Sequence, residues 1–358
     1  MGNPREAILI VLVAGIGDLV LASKAIRAIR NGFPDADIHL LTSTEAAEIA
    51  QNYKYLDHVW AFPIRELRNS KSHLLNVAKL MLKLRKKRFA SVVNLFVVTS
   101  WLGALRMGFL FLLLKSKLRV GHDDNGFGLF LTKKAPSETF ENRHRVQAMT
   151  DIAVQAGGVP DENGIDVFWN KNCEKKWRHL FENERPHSNR IFVGLNPGGD
   201  RENKRWAPSK FAVLGDKLTE EFNAKIILLG GPSEEEIAGQ IEKEMRNGVV
   251  NLAGKLDLNE LTYITSKFDL LVTGDSGPMH IAAGVGTPLV AIFGPQTPVI
   301  VGPYTSEQLC RVIFKDVDCW PCNKNRCVHP ICLDLITPDE VYEKCVELLE
   351  VNKSIPLQ

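Results

Sequence analysis

An α/β chain of two doubly wound domains is what this sequence predicts, on three observations. Apolar runs of strand length, such as AILIVLV, IFVGLN, AKIILLG and DLLVTG, alternate with amphipathic stretches of helix length. The strand–turn–helix–strand order near the N-terminus recurs in the middle of the chain. Finally, 358 residues exceed what one hydrophobic core ordinarily serves, and fit two domains of about 150 to 180 residues.

Taken in order, the first strand AILIVLV starts at Ala7 and enters the Gly-rich turn AGIGD. LVLASKAIRAIRNGF then has the apolar spacing of a helix, and a Pro-Asp turn leads into a second strand, DIHLLTS. The apolar stretch Val92 to Leu114, VVNLFVVTSWLGALRMGFLFLLL, is long enough to cross a membrane, but Asn94, Thr99, Ser100 and Arg106 interrupt it. It reads as a strand feeding a helix, with a membrane span or surface anchor as the alternative. The basic run Lys83 to Arg88 before it reads as a solvated helix end that would also suit anionic lipid headgroups.

The second half opens with IFVGLN, a glycine-bearing loop PGGDRENKRWAP, the helix SKFAVLGDKLTEEFN and the strand AKIILLG. GGPSEEEIAGQIEKEMRN reads as a helix, VVNLAG as a short strand, NELTYITSKF as a helix, DLLVTG as a strand, GPMHIAAGVG as a helix and PLVAIFG as a strand. A last helix, Thr337 to Val351, starts at TPDE with Thr337 as cap and Pro338 in its first turn. The polar, turn-rich stretch Gly157 to Ser188 marks the boundary. The expected organisation is an N-terminal domain over 1–175, a C-terminal domain over 176–336, and a helix and tail over 337–358. Two such domains would face each other across a cleft, with ligands beyond the carboxyl ends of the strands.

Charge and cysteine usage narrow the function classes. Lys plus Arg 44 against Asp plus Glu 42 gives a formal +2, which excludes the long-range field of a nucleic-acid binder. The N-terminal apolar run is too short for a span and enters a glycine turn rather than a small-residue cleavage site. With seven cysteines and no secretion signal, a reducing, cytoplasmic setting is expected.

Four strand-end loops carry candidate chemistry. Gly15, Gly17 and Asp18 follow the first strand. The G-x-G start invites a dinucleotide reading, but Val20 stands where the third glycine would fall, which disfavours a nicotinamide oxidoreductase. Asp18 at a helix N-terminus either charges the first turn or accepts a proton from a substrate hydroxyl. In NPGGDRENKRW, Gly198 and Gly199 let the backbone approach an anion, and Arg201, Lys204 and Arg205 can meet phosphate oxygens. In LLGGPSEEE, Ser233 with Glu236 fits a capping box, and Glu234 is the acid best placed for ribose hydroxyls. In TGDSGPMH, Ser276 and Gly277 stand at a helix N-terminus suited to an anion, Pro278 fits the first turn, Asp275 would face a sugar hydroxyl, and His280 lies one turn further on.

These residues resemble the heptosyltransferases of glycosyltransferase family 9, which add heptose to the lipopolysaccharide inner core. The matching segments are ILIVLVAGIGDLVLASKAIRAI, NPGGDRENKRWAPSKFAVLGDKL and VTGDSGPMHIAAGVGTPLVAIFGPQTP, in family order. The resemblance implies a GT-B fold of two Rossmann-like domains, acceptor on the first and nucleotide-sugar on the second. It implies an inverting, metal-independent reaction with no cofactor beyond the donor, ADP-heptose. Asp18 matches the general base, with Gly15 and Gly17 on the acceptor side. Lys204 matches the diphosphate-binding lysine, Glu234 the ribose-binding acid, and Asp275, Ser276, Gly277 and His280 the donor loop. The partner implied is a lipid-linked saccharide acceptor, with peripheral contact at the inner face of the cytoplasmic membrane. Two departures, AGIGD where many members are Ser-rich and the very apolar stretch Trp101 to Leu114, both bear on the acceptor. A transferase of another nucleotide-sugar or core position, and a non-catalytic nucleotide-sugar-binding protein, are the alternatives.

Two features stand outside that scheme. Asp35-Ala-Asp37 and Asp316-Val-Asp318 have the D-x-D form of metal-dependent transferases, but neither lies at a donor-side strand end. Cys319, Cys322, Cys327 and Cys332, with His329 among them, form either a structural or redox-labile thiol cluster or a metal site.

Overall fold

The computed structural model describes residues 5–69, 73–124, 126–135, 143–182, 190–322, 324 and 326–353. The chain divides into two compact units, Met1–Phe168 and Trp169–Gln358.

In the first unit, β1 (Ala7–Leu12), β2 (Asp37–Ser43), β3 (His58–Phe62), β4 (Ser91–Asn94), β5 (Leu118–His122) and β6 (Lys133–Ala135) form one parallel sheet in the order β3-β2-β1-β4-β5-β6. In the second, β7 (Phe192–Asn196), β8 (Lys225–Leu228), β9 (Val249–Asn251), β10 (Leu270–Gly274), β11 (Leu289–Ile292) and β12 (Cys310–Ile313) form another, in the order β12-β11-β10-β7-β8-β9. Counted from its own first strand, each sheet has the doubly wound order 3-2-1-4-5-6, which reverses between the first and fourth strands. That switch point puts the loops after β1 and β4, and those after β7 and β10, where a ligand can enter.

Burial on both faces explains why the central strands read as unbroken apolar runs. Ile8 to Leu12 and Leu270 to Val272 are each at most 1% exposed. Helix Ile16–Gly32 starts inside the expected turn AGIGD, three residues before the Leu19 start that the apolar spacing suggested, so it includes Gly17 and Asp18. Its Arg27 is buried and grips the segment before the second unit, with Nε and Nη2 on the two Asp161 carboxylate oxygens (both 2.8 Å), Nη1 on Asp166 and Nη2 on the Gly164 carbonyl.

Three local expectations are corrected. The strand read in VVNLFVV ends at Asn94, because its amide folds the chain back, with Nδ2 donating to the Phe96 carbonyl (2.8 Å) and Oδ1 accepting the Phe96 N–H (3.1 Å). The capping box expected from Ser233 and Glu236 does not form. A 3₁₀ turn, Pro232–Glu234, intervenes before helix Glu235–Glu244, and the Glu234 carboxylate accepts the Gly231 N–H instead. The last helix runs Pro338–Lys353, two residues beyond the expected end, with Thr337 Oγ1 accepting the Glu340 N–H at 3.2 Å. It packs Val341, Cys345 and Leu348 into the core of the second unit.

Candidate functional site

In the second unit the switch-point loops are tied at their roots. β7 and β10 are neighbours with Asn196 opposite Thr273. The buried Asn196 amide donates to Thr273 Oγ1 (3.0 Å) and Ser276 Oγ (3.1 Å), locking the two loops together. Asn196 and Thr273 went unread as site residues. The available signal is that each is a polar residue in the last positions of an otherwise apolar, two-sided buried strand.

Beyond Asn196 each glycine has a specific neighbour. A Cβ on Gly198 would lie 2.6 Å from Glu234 Cδ, so only glycine lets that carboxylate lie across the loop. The Gly199 carbonyl accepts from Arg205 Nε (3.1 Å) and Nη2 (2.8 Å), so Arg205 shapes the loop rather than facing an anion. Arg201 Nε lies 3.7 Å from Asp200 Oδ2. The 3₁₀ turn Glu202–Lys204 then drives Lys204 inward.

The family resemblance points Lys204 at a diphosphate, and the loop pattern points Asp275 at a sugar hydroxyl. In the structure they meet each other: Lys204 Nζ lies 2.8 Å from Asp275 Oδ2 and 3.5 Å from Asp200 Oδ1. Gly274 lies close beneath them, where a Cβ would come within 3.1 Å of the Lys204 carbonyl oxygen. Burial pushes the Asp275 carboxyl above the ordinary carboxylate range, and the Lys204 ammonium works against that rise.

Next in the chain, Ser276 is the N-cap of helix Gly277–Val285 in an extended conformation, yet its hydroxyl makes no cap bond. Held by Asn196, it leaves the first turn of the helix open as an anion site, with the Gly277 N–H at the tip and Pro278 contributing no donor. His280 is buried on the same helix at 5% exposure. The structure therefore sets Glu234 against Gly198, pairs Lys204 with Asp275, and ties Ser276 to Asn196 at the end of β7.

In the first unit, Gly15 is the N-cap of helix Ile16–Gly32, and a Cβ added there would meet nothing within 4 Å, which leaves the turn open to a ligand. Gly17 and Asp18 follow in the first turn. Asp18 Oδ1 accepts from Arg145 Nη1 at 2.8 Å, both side chains being about a third exposed. Arg145 opens helix Arg145–Gln155, 127 residues away in sequence, and no local pattern announces it.

The cysteine segment and the residues just after it lie against the loop and helix that follow β7. Asn203 Nδ2 donates to the Lys324 carbonyl (2.7 Å), Trp206 Nε1 to the Ile336 carbonyl (3.0 Å), and Lys210 Nζ to the Asp334 (2.7 Å) and Ile336 (2.9 Å) carbonyls. Cys319, Cys322, Cys327 and Cys332 are free thiols, the first and third exposed and the last buried, and burial pushes the Cys332 thiol up. Among the described residues, the group of three with metal-ligand spacing is instead Asp37, His39 and His58. Trp60 Nε1 donates to His39 Nδ1 (2.9 Å), which puts the imidazole proton on Nε2, facing Asp37 Oδ2 at 2.9 Å. Asp37 Oδ1 also lies 3.3 Å from His58 Nε2, and the cluster lies at the strand starts, opposite the switch point.

The profile of glycosyltransferase family 9 (heptosyltransferase) matches residues 77–331. Lipooligosaccharide heptosyltransferase 2 of Campylobacter jejuni is 27% identical over 96% of this chain and 98% of its own length. Among solved structures, a family 9 glycosyl transferase from Veillonella parvula aligns with a TM-score of 0.79 at 20% identity, covering 96% of this chain and 97% of that one. The ADP-heptose LPS heptosyltransferase II of Escherichia coli aligns at 0.76 and 21% identity, covering 97% and 100%. The shared fold is GT-B, with two Rossmann-like halves.

Proposed function

We propose, proceeding from the premise that this chain belongs to glycosyltransferase family 9 (heptosyltransferase), that it transfers heptose from ADP-heptose to a hydroxyl of a lipopolysaccharide core precursor, with inversion at the anomeric carbon. The observation that carries this reading is Lys204, a buried cation held at 2.8 Å from Asp275 beside the open N-terminus of helix Gly277–Val285. A cation and a helix N-terminus at one switch point are matched to a diphosphate.

In the proposed step Asp18 takes the proton of the acceptor hydroxyl while its oxygen bonds to the anomeric carbon. The bond from that carbon to the diphosphate oxygen breaks in the same displacement, and ADP leaves. Negative charge grows on the departing diphosphate, where Lys204 and the Gly277 N–H stabilise it. Arg145 orients the Asp18 carboxylate. Glu234, fixed on the Gly231 N–H, keeps a second oxygen for the ribose hydroxyls. Asp18 belongs to the first unit and Lys204 to the second, so the reaction requires both. Nothing in this step draws on a metal ion.

A thermal-shift panel with ADP, UDP, GDP, CDP and NAD, each with and without EDTA, tests the donor side. A nucleotide at about a hundred times its dissociation constant adds roughly 2.7 kcal/mol to native stability. Stabilisation by ADP alone, unchanged by EDTA, is the expected result. A response to UDP or GDP instead changes the sugar donor, and a response to NAD alone overturns the reading.

A further inference from the structure

Helix Trp101–Leu114 is apolar apart from the exposed Arg106, and one side of it is open beyond the contact of Trp101 with Phe127. Its inner side, Ala104, Phe111 and Leu114, packs into the core of the first unit. The opposite stripe, Leu102, Leu105, Phe109 and Leu112, is 58 to 70% exposed, and Trp101 at its start is 58% exposed. A helix with two apolar faces belongs in a core or against lipid, not in water. At 14 residues it is about 21 Å long, short of the roughly 30 Å of a bilayer core, and no helix among the described residues is long and apolar enough to cross a membrane.

The charge around this stripe selects its occupant. From Leu67 to His122 the sequence contains twelve Lys or Arg and no Asp or Glu, although the whole chain carries only +2. The neighbouring helix Leu74–Lys87 packs against Trp101–Leu114 through Leu80, Met81 and Leu84. It exposes Leu75 and Leu82 and ends in the exposed basic run Arg85 to Arg88. An exposed apolar stripe beside an exposed basic run fits an anionic bilayer.

We propose that this pair of helices docks the protein on an anionic phospholipid surface, with the Leu102–Leu112 stripe seated among the upper acyl chains and the Lys83 to Arg88 run on the headgroup phosphates. This goes beyond the transfer reaction and does not rest on the identity of its donor or acceptor, since neither is needed to measure it.

The test is co-sedimentation of the full chain with phosphatidylcholine vesicles, with and without phosphatidylglycerol. Sedimentation with the anionic vesicles alone is expected. A variant combining Leu105→Ser, Phe109→Ser and Leu112→Ser, and a second combining Lys83→Glu, Lys86→Glu and Lys87→Glu, should each bind at least about tenfold more weakly. Should the first variant fail to fold, brominated lipid decides: it should quench the wild-type fluorescence, and the quenching should drop in Trp101→Phe. Absence of wild-type binding, undiminished binding by both variants, or a dimer that buries the stripe without vesicle binding overturns the proposal.

Discussion

The loop after the first strand leads to one ion pair in each unit, and the two differ in how far water reaches them. Asp18 and Arg145 in the first unit leave 30% and 29% of their side chains exposed, whereas Lys204 and Asp275 in the second leave 8% and 7%. A pair about a third exposed is partly screened, contributes little to stability and can give up its partner to a substrate. A buried pair has lost its hydration, so each charge depends on the other. On the proposed reading, the base that exchanges a proton has the first environment. The cation proposed to hold the leaving diphosphate has the second, where its field acts at a low dielectric.

The comparison is broken most directly at Lys204. Lys204→Ala leaves Asp275 buried without its cation, and should cost about 3–5 kcal/mol of stability in urea denaturation. The same change should lower turnover by about 10²–10³ beyond any loss of folded protein, the usual cost of removing one transition-state donor. Pairing it with Asp275→Asn should restore most of the stability and none of the turnover. If the single variant loses under about 1 kcal/mol, water reaches the pair and the contrast fails.

Asp18→Asn probes the other side. Turnover should fall by about 10²–10⁴ while the stability read from urea denaturation falls by less than about 1 kcal/mol. A stability loss as large as that of Lys204→Ala would mean that Asp18 is a structural charge of the first helical turn, the bland alternative open to any acid at that position.

The same contrast explains which parts were legible in the sequence. The central strands were readable because burial on both faces leaves only apolar residues, as in AILIVLV and DLLVTG, whereas the more exposed β3, β5, β6 and β12 carry no such run and went unread; the loops were readable because glycine, proline and charge cluster where the apolar runs stop. What no pattern carries is pairing across sequence distance. Arg145 reaches Asp18 over 127 residues, and Lys204 meets Asp275 only because β7 and β10 are adjacent in the sheet. Local rules also failed where a side chain competed with the backbone. Asn94 ended a strand that its apolar neighbours would have prolonged, and Glu234 took the N–H that displaced the expected cap.

The smallest effect, and the finest division between the units, lies in acid. Asp161 in the first unit is held down to about 2, by its hydrogen bonds from Arg27 above all. An acid lowered on folding stabilises the native state above its ordinary value of about 3.9 and loses that contribution as pH falls toward 2. With 29% of the Asp161 side chain exposed, screening reduces this to about 1 kcal/mol. Asp275 has the opposite sign. Burial raises its folded value, so the charged form costs stability at neutral pH, and that cost is relieved as pH falls through the raised value. Urea midpoints across an acid series should therefore separate two variants. Asp161→Asn should flatten the limb between about pH 4 and 2. The wild type should gain on Asp275→Asn as the pH drops toward the ordinary carboxylate range, before that limb begins. Were both variants to change the same limb in the same direction, the two carboxylates would share one environment, and the difference in burial drawn between the units would not be functional.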